Sequence, residues 1–167
     1  MDRAVIYPGS FDPWTKGHLD IVTRASRLFD QVVVAVANNS QKRHLFTLEE
    51  RMAMVRESTM DLSNVEVDAL PGLLADYMDK VQGLAVVRGL RAVSDFEFEF
   101  QLALTNRRLN ERVETIFMTP SETYTFLSSS IVREIASLGG NVSSFVPKNV
   151  ELALKAKFPT KSPPPKG

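Results

Sequence analysis

Residues 7–18, YPGSFDPWTKGH, couple Ser10 and His18 through a loop punctuated by Gly9 and Pro13. Ahead of that loop stands a short apolar run, RAVIY, and behind it begins a helical period whose first turn carries His18. A loop leaving the carboxyl end of a strand and opening a helix presents unpaired N–H groups and a partial positive charge, which suits a phosphate. An imidazole in that turn can donate a hydrogen bond to a phosphoryl oxygen as negative charge builds on it. The plain alternative is a core histidine on an apolar stripe. Further polar groups stand just after other apolar runs: Asn38 to Lys42, Arg88 with Arg91, and Ser128 to Ser130.

These groups need a scaffold that gathers them. Val32 to Ala37 (VVVAVA) and Leu84 to Val87 read as strands buried on both faces, Val65 to Ala69 as an alternating, edge-like strand, and Thr115 to Met118 as the last strand. Helical stripes separate them, the first carrying His18, Ile21, Val22, Ala25, Leu28 and Phe29. Thr47 with Glu50, and Ser94 with Glu97, have capping-box spacing, and a last helix is expected from Lys148 to Lys157. The order predicts an α/β fold, a single-domain Rossmann-like open parallel five-stranded sheet with helices on both faces. Ligands of such sheets bind outside the carboxyl ends of the strands, where the polar groups fall.

Composition narrows the classes. With 167 residues, 44% of them hydrophobic and 24% charged, one sizeable core is expected. The expected division is a domain over 1–158 and a Pro-rich disordered tail over 159–167. Twenty basic and twenty acidic residues cancel, which removes the charge argument for nucleic acid or an anionic membrane as partner. The chain has no cysteine, so thiolate chemistry and Cys-ligated metals are excluded, and two histidines are too few for a His-rich centre. No leader-like segment and no apolar run approaching about 18 residues is evident, so a cytoplasmic protein is expected.

TKGH resembles the T-x-G-H signature of the nucleotidyltransferase superfamily, and LSSSIVR its second motif. More closely, YPGSFDPWTKGHLDIVTRA, FTLEER, VRGLRAVSDFEFEFQLALTNRRL and YTFLSSSIVREIA resemble the motifs of bacterial phosphopantetheine adenylyltransferases in order and spacing, over roughly residues 1–157. The resemblance implies transfer of AMP from ATP to 4′-phosphopantetheine, giving dephospho-coenzyme A and pyrophosphate, with Mg²⁺ as cofactor. It also implies a homohexamer, a dimer of trimers, and feedback binding of coenzyme A. No carboxylate cluster with metal-ligand spacing is evident, so no protein metal ligand is assigned and phosphates and water are expected to hold the ion. One substrate brings its own nucleophilic phosphate oxygen, so catalysis reduces to positioning and charge stabilisation.

By resemblance His18 stabilises the transition state. ATP would meet Ser10, Phe11, His18, Gly89, Leu90, Arg91, Glu99 and the run Tyr124, Thr125, Phe126, Leu127, Ser128, Ser129, Ser130; the acceptor would meet Ser10, Lys42, Leu74 and Arg88. Local alternatives stand beside several of these. Ser10 could satisfy its own loop, the three serines could compete as helix caps, and Leu74 could be a helix core residue. Glu99 shares an apolar stripe with Phe96, Phe100 and Ala103, so it needs a partner, either ATP or a cation such as Arg107 or Arg91. Arg133 could add charge or pair with Glu134, whereas Arg43 and His44 read as surface residues. Phe98, Leu102 and Leu109 give the same helix a second apolar face, which suggests self-association. Two rivals stay open: a superfamily member using nicotinate mononucleotide, FMN or a phosphorylated alcohol, and a nucleotide sensor without turnover.

Overall fold

Strands flanked by neighbours on both sides and covered on both faces must be apolar at every position, and the run VVVAVA is. In the computed structural model, which describes residues 4–39 and 41–159, that run lies in β2 (Gln31–Ala37). It pairs in parallel with β1 (Ala4–Gly9), the register running from Ala4 opposite Gln31 to Gly9 opposite Val36. β3 (Val65–Leu70) lies beyond β2, β4 (Ala85–Gly89) on the other side of β1, and β5 (Thr115–Met118) outermost. All four pairings are parallel, in the order β3-β2-β1-β4-β5. β3 is the edge strand that its alternation predicts.

Among the described residues six α-helices cover the sheet: α1 (Lys16–Leu28), α2 (Leu48–Ser58), α3 (Leu74–Val81), α4 (Val93–Leu109), α5 (Ser129–Ser137) and α6 (Lys148–Lys157). Alternate strand residues feed two cores. Val5, Val34, Val36 and Val87 pack with Ile21 and Val22 of α1, Val55 of α2, Val132 of α5 and Leu154 of α6. Ile6, Val33, Ala35 and Val86 face the other way, onto Tyr77 and Met78 of α3. Each fully buried aliphatic chain contributes about 1.5–3 kcal/mol. The chain builds outward from β1 through β2 to β3 and then crosses back to β4, so β1 and β4 flank the switch point of the sheet.

Some boundaries differ from expectation. β1 continues through Pro8 to Gly9, and Arg88 and Gly89 are the last residues of β4 rather than the loop after it. α4 has Ala92 as its N-cap, with no side-chain cap, so it starts before Ser94. Leu28 is exposed instead of joining the α1 core stripe. The largest correction concerns α4: Phe96 and Phe100, expected to pack with Glu99 on one apolar face, are exposed, while Glu99 and Asn106 are buried. Among the described residues no helix is long and apolar enough to cross a membrane. The expected tail lies, from residue 160 onward, outside the described residues.

Candidate active site

The loop after β1 is held by its own side chains. A Cβ on Gly9 would come within 2.8 Å of the Phe11 ring, so only glycine lets that ring fold back over the strand end. Phe11 itself takes a left-handed backbone, φ 49°, at a cost of order 1–3 kcal/mol that the surrounding contacts must offset. The buried Asp12 carboxylate accepts the N–H groups of Leu45 (2.8 Å) and Phe46 (2.9 Å), tying this loop to the entrance of α2.

Thr15 then caps α1. Its hydroxyl accepts the His18 N–H at 3.3 Å, and the Thr15 N–H donates to His18 Nδ1 at 3.0 Å, so the imidazole takes the reciprocal place that a glutamate usually has in a capping box. A nitrogen that accepts a backbone N–H carries no proton, which leaves the hydrogen of the neutral ring on Nε2. Phe11 and Trp14 pack on the ring, with centroids 5.0 and 5.3 Å away. Burial, followed by the charges of Arg91 and Arg88, pushes the His18 pKa down to about 3. His18 is therefore an uncharged donor at neutral pH.

Around it opens a cavity of about 500 Å³ at the carboxyl ends of β1 and β4. Of the residues singled out from sequence, Ser10, Phe11, His18, Lys42, Arg88, Gly89, Arg91, Glu99, Tyr124, Leu127, Ser128, Ser129 and Ser130 line it. Leu74, Leu90, Thr125 and Phe126 do not: Leu74 opens α3 and packs on the second core, and Phe126 is 87% exposed.

Charge in the cavity is organised by pairing. Arg88 Nε and Nη2 bind the two Glu99 oxygens at 2.8 and 2.7 Å, and Nη1 donates to the Pro8 carbonyl at 2.7 Å. Burial works against this guanidinium's charge, but Glu99 outweighs it and holds the Arg88 pKa above its usual value. Arg88 is thus the partner that Glu99 required, neither Arg107, which meets Glu114 at 3.5 Å, nor Arg91. Arg91 donates to Asp95 (3.0 Å) and to the Leu127 carbonyl (2.8 Å), which joins β4 to the loop before α5. Arg133 turns inward to the Asp12 carbonyl and Ser130 Oγ rather than outward to Glu134.

The three serines divide their work. Ser128 Oγ accepts the Ile131 N–H as the α5 cap, Ser129 Oγ donates to the Pro13 carbonyl at 2.8 Å, and Ser130 Oγ accepts from Arg133. The amino end of α5 faces the same cavity, and its first N–H groups with this cationic rim form a place for anionic oxygens. Arg43 and His44, expected at the surface, line the cavity too. His44 Nδ1 stands 3.7 Å from Asp12 Oδ2, and burial, then Arg51, lower its pKa. Sequence reading also passed over Tyr7, Asp12, Thr15 and Asp95 as lining residues. Asp12 was the findable one, because a carboxylate between Phe11 and Pro13 in a buried loop needs backbone donors.

Among the described residues no group of three or more His, Asp or Glu side chains could hold a metal ion. The carboxylates of the cavity are engaged: Glu99 by Arg88, Asp95 by Arg91, and Asp12 by two backbone N–H groups.

Comparison with known proteins agrees with this geometry. Residues 6–135 match the family described as cytidylyltransferase-like. The chain is 52% identical over 159 residues to a phosphopantetheine adenylyltransferase of Thermodesulfovibrio yellowstonii, covering 95% of this chain and 99% of that one. It is 54% identical over 156 residues to the phosphopantetheine adenylyltransferase of Caldanaerobacter subterraneus subsp. tengcongensis, covering 93% and 98%. A crystal structure from Vibrio parahaemolyticus, provisionally assigned as a nicotinate-nucleotide adenylyltransferase, superposes with a TM-score of 0.70 over 95% of both chains. At 21% identity, that last likeness concerns the fold alone.

Proposed function

The chain belongs to the phosphopantetheine adenylyltransferase family, and from that premise we propose that it moves the adenylyl group of ATP onto the phosphate of 4′-phosphopantetheine. The products are dephospho-coenzyme A and pyrophosphate. The observation that carries the reading is the meeting, on one cavity, of a neutral His18 with Lys42, Arg88, Arg91 and the amino end of α5.

The chemistry needs little more. An acceptor phosphate oxygen forms a bond to the α-phosphorus while the bridging bond to the β-phosphate breaks, and its electron pair leaves with pyrophosphate. No protein nucleophile takes part. His18 Nε2–H donates to a non-bridging α-oxygen as charge accumulates there, and Lys42 holds the attacking phosphate as a point charge. Arg88, fixed by Glu99 and the Pro8 carbonyl, faces the acceptor with Ser10, whereas Phe11, Gly89, Arg91, Tyr124, Leu127, Ser128, Ser129 and Ser130 face ATP. The roles of Leu74, Leu90, Thr125 and Phe126 rest on the family resemblance alone.

Mg²⁺ enters this reading bound to the triphosphate by phosphate oxygens and water, because the carboxylates of the cavity already have partners. It would supply neutralisation of the triphosphate charge. The exposed phenylalanines of α4 support self-association, and its form as a dimer of trimers rests on the family resemblance. Coenzyme A, which contains both halves of the product, would compete for the same cavity. A cytoplasmic location is part of the same proposal.

Pyrophosphate release in the presence of ATP and Mg²⁺ tests the reading across acceptors. 4′-Phosphopantetheine should support turnover while nicotinate mononucleotide, FMN and phosphorylated alcohols give none above background. Equal release with any of those, or none with 4′-phosphopantetheine, overturns it.

A further inference from the structure

One charged side chain near the cavity has no part in the chemistry above. Arg51, in the first turns of α2, is 2% exposed, and its guanidinium donates to backbone carbonyls rather than lining the cavity. Nε donates to Phe46 O (3.1 Å) and Thr47 O (3.3 Å), and Nη1 donates to Ser10 O (2.7 Å) and Ala37 O (2.9 Å). Burying a cation is costly, and an apolar side chain of similar volume would fill the space without that cost. The guanidinium therefore does something that packing alone does not.

Its position says what. The ladder between β1 and β2 ends at Gly9 opposite Val36, and the next carbonyls, Ser10 and Ala37, both accept from the same Nη1. Arg51 takes over where the ladder stops and holds the two strand ends at a fixed separation. Ala37 leads into the segment that carries Lys42, and Phe46 and Thr47 close that segment. One planar group thus grips both ends of the Lys42 segment and the loop that carries Ser10. A lysine cannot reproduce this, because a single ammonium on a flexible stem lacks the fixed fork.

We propose that Arg51 is a positioning residue for adenylyl transfer: it holds the Lys42 segment in register with the Ser10 loop, so that acceptor and ATP meet in line. The inference rests on the adenylyl-transfer reading only for its kinetic consequence. The structural consequence, a Lys42 segment held by Arg51, stands apart from it.

The test combines exchange with a kinetic cycle. In Arg51→Lys, backbone amides of residues 41–47 should exchange at least tenfold faster while those of β1 and β4 are unchanged. The KM for 4′-phosphopantetheine should rise and kcat fall by about tenfold or more, as expected when a reacting group is displaced by about 1 Å. ATP affinity by titration calorimetry should stay within about threefold. In a Lys42→Ala background the same change should add less than about twofold, because the group being positioned is gone. Should Arg51→Lys lack a cooperative melt, Arg51→Ala with millimolar guanidinium should recover turnover relative to the same variant without it. Unaltered exchange at 41–47, full additivity with Lys42→Ala, or no recovery with guanidinium overturns the proposal. A parent protein that releases no pyrophosphate overturns the function instead, and the exchange measurement still judges Arg51.

Discussion

An imidazole packed against Phe11 and Trp14, with Nδ1 fixed on the Thr15 N–H, has a single hydrogen to offer, on Nε2. Neutrality is what makes it dependable, since the donor does not come and go with pH. In the folded protein burial and the nearby arginines hold the His18 pKa at about 3, against an ordinary 6.5. Between those values the unfolded chain takes up a proton that the folded one refuses, so the contribution of this group to stability is intact above 6.5 and declines as pH falls toward 3. Proton NMR checks this directly because the chain has two histidines: the His18 ring resonances should stay in place from pH 8 to 5, and a midpoint near 6.5 would contradict the assignment. His18→Ala should slow turnover by roughly a hundredfold or more, as for loss of one transition-state donor, with ATP affinity changed little. Turnover equal to the parent's would remove His18 from the chemistry.

A helix can also be docked by charge, and α4 is. Its buried residues include Glu99 and Asn106, while Phe96, Phe98 and Phe100 are exposed, so the contact that ties it to β4 is the two-pronged Arg88–Glu99 pair. Glu99→Leu leaves the half-buried Arg88 guanidinium without its partner beside an apolar chain, and urea unfolding should show a loss of about 2 kcal/mol. Unchanged stability would mean that apolar contacts alone hold α4. The same helix shows where sequence reading fails. VVVAVA is legible as a central strand because every face of it is apolar, and the α6 bounds are legible because its period and flanking Pro147 are local. FEFEFQLAL has apolar residues on two faces, so periodicity cannot say which side meets the sheet; that depends on Arg88, eleven residues away, needing a carboxylate. Arg51 was hidden for the same reason. FTLEER reads as a capping box that opens a helix, and the burial of Arg51 within it depends on carbonyls of Ser10 and Ala37 that only the folded sheet brings near. His18, Ser10, Lys42, Arg88 and the serine run were legible because each sits just after, or at the end of, a strand whose carboxyl end the topology aims at one crevice.

At the scale of the whole molecule, the site lies at the carboxyl ends of the central strands while α4 turns its rings outward. Phe96 and Phe100 stack in parallel, with centroids 5.6 Å apart, and Leu104 continues the stripe one turn on. Phe98 is 63% exposed and Leu109 57%, which extends apolar surface over much of a 17-residue helix. A lone chain gains nothing by showing this to water, and rings of this kind carry much of the energy at interfaces between subunits. If copies of the chain cover α4 in solution, replacing one ring by a carboxylate places an unpaired charge in the contact and should separate them. Phe98→Asp tests this, since Phe98 touches neither core cluster and should leave the fold intact. Light scattering at micromolar concentration should report a mass several times that of one 18.7 kDa chain for the parent and a clear fall for the variant, with the melting transition retained. A parent that runs as a single chain, or a variant with undiminished mass, would show that the outward rings serve something other than contact between copies.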